Sequence, residues 1–154
     1  DRQLAYVQKH LRILSAFYGV LEPMDGVTPY RLEMQAKVEI GDAKNLYDYW
    51  GERLYRSVID DSRVIINLAS KEYSKCIEKY LTPKDTYITV SFCELSGNKL
   101  VTKGTYAKMA RGEMVRFMAE REIENPEEIR KFDSLGYTFR RDLSSESEYV
   151  FERK

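Results

Sequence analysis

Residues 63–81 read "RVIINLASKEYSKCIEKYL". The first six form a short, continuous apolar run rich in β-branched side chains, which predicts a strand buried on both faces. The run leads straight into a helical pattern, with Ser70 placed to cap it. A buried strand feeding a capped helix is an α/β unit. Asn67 and Ser70 stand at its turn, where the helix N-terminus leaves free N–H groups that can hold an anion. Two readings of this pair stay open: an anion site, or a cap and an ordered loop, the commoner case.

Downstream, "TYITVSFCEL", "SGNK" and "LVTK" predict a β-hairpin, because Gly97 and Asn98 tolerate the positive φ of tight turns. A long helix follows over 104–120, and Pro126 starts a short one, "PEEIRKF". The aromatic alternation at Tyr137/Phe139 and the run Tyr149–Phe151 flank a Ser/Glu-rich connection, which predicts a terminal hairpin. Upstream, Leu4, Val7, Leu11, Leu14 and Tyr18 recur at helical spacing and predict one amphipathic helix ending near Gly19. His10 lies beside that stripe with no second ligand at helical spacing. Pro23, Gly26 and Pro29 mark a loop, and the segment after Pro29 is expected to be extended. A further helix is expected after Asp42, as its N-cap, with Leu46, Tyr47, Trp50, Leu54 and Val58 on its core side.

A chain of 154 residues fits a single domain that buries about 70% of its unfolded surface without a disulfide or metal staple. Lys+Arg and Asp+Glu are both 25, so no global basic field exists, and a polyanion site must come from local charge separation. Cys76 and Cys93 lack CxxC or metal-knuckle spacing and read as reduced structural thiols of a cytoplasmic protein. No apolar run is long enough to span a membrane. The sequence opens on Asp1 inside a helical pattern, so an N-terminal part is expected to be missing.

Local charge separation is strong in one place. Residues 99–116 carry Lys99, Lys103, Lys108, Arg111 and Arg116 against one acid, Glu113. Residues 120–128 reverse this, with five glutamates against Arg121. Arg116 can pair with Glu113 or Glu120 along the helix, whereas Lys108 and Arg111 have no acid at i±3 or i±4. Tyr106, Ala107, Ala110, Met114, Phe117 and Met118 form the expected core arc. Lys108, Gly112 and Arg116 line the opposite side. A mid-helix glycine costs about 1 kcal/mol relative to alanine. Gly112 therefore serves either close packing by a neighbouring segment, the favoured reading, or close approach of an anion.

Several long strings carry a resemblance: "HLRILSAFYGVLEPMDGVTPYRLEM", "LYDYWGERL", "VIINLASKEY", "YAKMARGEMVRFM" and "FDSLGYTF…SSESEYVFER". Together they resemble the YaaA-type peroxide-stress protein family, collinearly over essentially the whole chain. The family's Ser-Pro-Ala-Lys motif is absent here. The resemblance implies a mixed α/β fold: a central mixed sheet, flanking helices and a C-terminal hairpin. It also implies a bacterial peroxide-stress role that limits intracellular free iron, and a positively charged cleft. A helix-hairpin-helix-like element would bind double-stranded or structured DNA. Here that element would be the helix of Lys108, Arg111 and Arg116, then Asn125-Pro126 and the short helix after it. Its connection, "EIENPEE", has no glycine and is acidic, so DNA contacts are expected from the helix and the 96–105 hairpin instead.

The alternative is an enzyme or small-anion site in a cleft built from Tyr30, Arg31, Glu33, Asn67 and Ser70, joined by Lys108 and Arg111. Arg31 and Glu33 read equally as a structural ion pair. No metal site and no cofactor is expected, since iron sites need carboxylate/His sets or cysteine clusters.

Overall fold

A computed structural model of the protein describes residues 1–154. The helices are α1 (Arg2–His10), α2 (Leu46–Trp50), α3 (Arg53–Val58), α4 (Lys71–Glu78) and α5 (Gly104–Glu120). The strands are β1 (Ile13–Ser15), β2 (Gly19–Leu21), β3 (Val64–Asn67), β4 (Thr86–Ser96), β5 (Lys99–Val101), β6 (Tyr137–Phe139) and β7 (Glu148–Arg153). Short 3-10 turns follow α5 at Pro126–Lys131 and Ser134–Gly136. The fold is α/β, as the alternation of patterns predicts.

The chain forms two compact units. One comprises residues 1–9, 66–68 and 87–154, and the other residues 10–65 and 69–86. The first holds most of the mixed sheet, ordered β3-β4-β7-β6 with β5 on β4. β4 and β7 run parallel, with Thr89 opposite Glu148 and Glu94 opposite Arg153. β6 and β7 are antiparallel, which is the expected terminal hairpin. β3 ends the strand order, and only Asn67 of its residues is buried. The expectation of a strand covered on both faces fails because β3 is an edge strand.

The core of this unit is aromatic. Phe92 contacts Phe132, Tyr137 and Phe151 with ring centroids 5.8, 5.1 and 5.5 Å apart, and Phe117 meets Phe132 edge-on at 5.6 Å. Each such pair contributes about 0.5–1.5 kcal/mol beyond its buried area. Ala107, Ala110, Met114 and Phe117 bring α5 onto this cluster. Tyr106, expected on the core arc, is instead exposed, with the Arg153 guanidinium 3.7 Å above its ring. Tyr6 fixes α1 by donating its hydroxyl to the Ile123 carbonyl at 2.6 Å. Burial, then the charge of Glu124, pushes that phenol up to about 12.

The second unit corrects several expectations. α1 stops at His10, and residues 13–21 form the antiparallel hairpin β1–β2 rather than more helix. Gly19 explains the change. Its φ is +87°, and a Cβ there would lie 2.9 Å from the Trp50 ring, so the tryptophan packs on a bare backbone. Trp50 also donates its indole N–H to Ala16 at 2.9 Å. The segment after Pro29 forms no strand; only an isolated bridge joins Ile40 and Ala43. Asn45, not Asp42, caps the next helix, accepting from the Asp48 N–H at 2.8 Å. Gly51, at φ +52°, then divides that helix into α2 and α3. Leu46 and Leu54 are the stripe residues that become fully buried. Ser70 occupies the N-cap position of α4 but makes no side-chain capping bond.

Candidate functional site

The basic segment lies wholly within the sheet unit. β4 pairs with β5 through Glu94↔Val101, Leu95↔Leu100 and Ser96↔Lys99. The β7 register ends at Glu94, so Leu95 and Ser96 continue as a ribbon beyond it. Gly97, at φ +63°, turns the ribbon. Lys99 and Lys103 bracket β5, and the Lys103 carbonyl accepts the Ala107 N–H at 2.9 Å to start α5. Lys108 and Arg111 are separated by about 60° around the helix; Lys108 is on the exposed side, whereas Arg111, four residues after Ala107 and three before Met114, borders the core arc and is half-buried.

Three nearby carboxylates are already occupied. Glu94 accepts from Arg153 at 2.9 Å, Glu120 from Arg116 at 2.8 Å and Glu122 from Arg2 at 2.6 Å. The Glu120 hydrogen bond, reinforced by its charge, raises the Arg116 pKa. Arg116 is thus the local ion pair that its spacing allows. Lys99, Lys103 and Lys108 are exposed, Arg111 is half-buried, and none of the four has a carboxylate partner. Burial alone lowers the Arg111 pKa, since no acid offsets it. A guanidinium begins so far above neutrality that it stays charged.

Gly112 does not pack against a neighbour. A Cβ built there meets nothing within 4 Å, which overturns the packing explanation. The end of α5 is a Schellman motif: Ile123 N–H bonds to Met118 O at 3.0 Å and Glu122 N–H to Ala119 O at 3.3 Å. Glu122 adopts φ +46° at the position where glycine is usual. Both amides at this bend are therefore used internally. The following segment is a 3-10 turn, capped by Asn125, which accepts from the Glu127 N–H at 3.0 Å. A phosphate would find an acidic bend there with its N–H groups occupied.

The cleft residues are distributed differently. Asn67 is buried in the sheet unit, where its side-chain amide donates to Thr89 at 3.4 Å. Tyr30, Arg31, Glu33 and Ser70 belong to the other unit. Tyr30 shares a hydrogen bond with buried Ser15 at 2.5 Å and stacks on Phe17 at 5.3 Å. Arg31 and Glu33 are exposed and form no ion pair with each other. The first turn of α4 carries its own carboxylate, Glu72, which accepts from the Gln35 N–H at 3.2 Å. The positive end of that helix faces a protein carboxylate. A separate groove of about 370 Å³ lies between Tyr47, Lys75, Lys79 and Tyr80, with Cys76 in its lining. Burial pushes the Cys76 thiol up to about 11 and raises Cys93 as well, so neither is a ready thiolate.

Sequence reasoning missed the Arg153–Tyr106 stack and the Arg153–Glu94 pair. These contacts join residues 47 to 59 positions apart, and no local pattern signals them. Leu95 and Leu100 were also passed over, although their symmetric placement about Gly97-Asn98 marks them as a cross-strand pair.

Comparison with known proteins gives a consistent result. A family model described as "Peroxide stress protein YaaA" matches residues 1–143. A UPF0246 protein of Agathobacter rectalis is 84% identical over 154 residues, covering 100% of this chain and 62% of the relative. One from Lachnoclostridium phytofermentans is 56% identical over 149 residues, 97% of this chain and 58% of its own. One from Desulfitobacterium hafniense is 53% identical over 151 residues, 98% of this chain and 60% of its own. The chain thus spans about three fifths of the length of these curated relatives.

Proposed function

This chain belongs to the peroxide stress protein YaaA family, the UPF0246 proteins, and from that premise we propose that it binds double-stranded or structured DNA through Lys99, Lys103, Lys108 and Arg111. One observation carries the reading. In a chain of net charge +0, four cations within residues 99–111 lack a carboxylate partner, while Glu94, Glu120 and Glu122 are held by other arginines. Such charges gain free energy by meeting a polyanion and releasing its counterions. The contacts fall on phosphates, so binding is independent of sequence. Arg116 contributes less, because Glu120 neutralises it.

In this proposal, protection during peroxide stress is exerted in the cytoplasm on the bound polyanion. The single histidine and the two buried cysteines form no ligand set for iron within this span. In the proposal, a role in limiting free iron is indirect.

The test is fluorescence anisotropy with a short labelled duplex over a series of salt concentrations. Four phosphate contacts give a slope of log K against log salt of about −3.6. The pair Lys108→Ala and Arg111→Ala should flatten it by about 2. Binding that is insensitive to salt, or absent from the full-length protein, would sink the proposal.

A further inference from the structure

The tip of the β4–β5 ribbon carries an unexplained apolar pair. Leu95 and Leu100 are direct cross-strand partners, 55% and 41% exposed. Alternation puts Glu94, Ser96, Lys99 and Val101 on the opposite face of the ribbon. Exposed strands are normally guarded by charge or proline; this face offers two leucines. Tyr106 and Met109, in the first turns of α5, are also exposed. The apolar residues alternate in the chain with Lys99, Lys103 and Lys108, none of which has an acidic partner. The one acid of the ribbon, Glu94, is held by Arg153 at 2.9 Å. Lys99 precedes Leu100 in the chain and Lys103 follows the strand, so free cations adjoin the apolar tip, which suits a ligand that offers phosphates at its edge and flat apolar faces within.

We infer that Leu95 and Leu100 form a wedge that enters between stacked bases of the DNA duplex while the flanking lysines hold its backbone. The inference rests on the DNA-binding reading and adds how the duplex is engaged. A two-stranded ribbon fits a groove, and an inserted aliphatic side chain unstacks a base step and kinks the helix. The cations draw the duplex in, and the leucines exchange water for base faces. A duplex already weakened at one step costs less to open and binds tighter. An apolar protein partner, or a second copy of the chain, would meet the same leucines beside unpaired lysines and would need carboxylates to match them.

The experiment uses the full-length protein and a short duplex carrying 2-aminopurine at successive steps, with a dye pair at its ends. The wild type should raise 2-aminopurine emission several-fold at one step and shorten the end-to-end distance. The variant L95S/L100S should keep its thermal midpoint, its salt slope and an affinity within about threefold, since phosphate contacts dominate binding. It should lose both the emission rise and the shortening, and L95M/L100M should restore them. A rise that persists in L95S/L100S overturns the wedge. So does salt-sensitive binding by the wild type with no rise, which leaves the DNA-binding proposal standing. A change of association state in L95S/L100S, with unstacking intact, reassigns the leucines to a protein contact. Absence of salt-sensitive binding by the wild type removes the DNA reading and the wedge together.

Discussion

Gly112 interrupts a helix without packing against anything. Its cost is that of backbone freedom, so Gly112→Ala should stabilise the protein by about 1 kcal/mol, read as a shift in denaturant midpoint. The same variant tests whether the bare backbone admits a phosphate. If the cations alone attract DNA, duplex affinity should change by less than about twofold, a surface-sized effect. A tenfold loss would mean that the phosphate sits against the helix backbone. Gly19 behaves oppositely, because Trp50 occupies the space a Cβ needs and φ is +87°. The two cysteines show how burial governs reactivity in a peroxide-stress protein. Both thiols are buried and their pKa values raised, so little thiolate is present at neutral pH to meet an oxidant.

At the scale of elements, capping distinguishes helices that look alike in sequence. Asn45 satisfies an N–H of α2, whereas Ser70 leaves α4 without a side-chain cap. Asn45→Ala should cost about 1 kcal/mol. Ser70→Ala should cost less than about 0.5 kcal/mol. Paired denaturation curves measure the difference. The α5 helix owes its end to Ile123, buried beneath its Schellman bend. Glu122 takes the left-handed conformation there, showing that anchoring by a neighbour can hold a residue glycine would fit more easily. The same bend uses its N–H groups internally, which is why the proposed phosphate contacts are assigned to helix and ribbon rather than to the helix–helix connection.

At the scale of the whole molecule, acid should act first on the unit that contains Asp85. Its side chain is fully buried and pairs with Arg63 at 2.6 Å. Burial is the largest influence on this carboxyl and pushes its pKa up. The Tyr55 hydroxyl, the Thr82 N–H and Arg63 together outweigh burial and hold it below the ordinary value. A lowered native pKa contributes stability that is present above the unfolded value of about 3.9 and is lost as pH falls through the native one. Thermal midpoints by near-ultraviolet circular dichroism should therefore drop below about pH 4. Asp85→Asn should start lower and show a shallower acid slope. An unchanged slope would remove Asp85 from the account.

Much of the architecture was legible because its causes are local. The Gly97-Asn98 turn, the Pro126 start and the terminal aromatic alternation each specify their element within a few residues. The free cations of α5 were legible for the same reason, since missing i±4 acids are a property of one helix. The parallel pairing of β4 with β7 was not. It joins Thr89 to Glu148 through contacts that no spacing rule encodes. The end of α1 was misread because helical periodicity continues through Tyr18, while the packing of Trp50 on Gly19 selects a hairpin.

Trp50, which packs on Gly19, is the single tryptophan of these 154 residues and belongs to the unit of residues 10–65 and 69–86. Ultraviolet emission is therefore a one-sided reporter. It follows the melting of that unit, while the sheet and its cations lose structure unseen by this fluorophore.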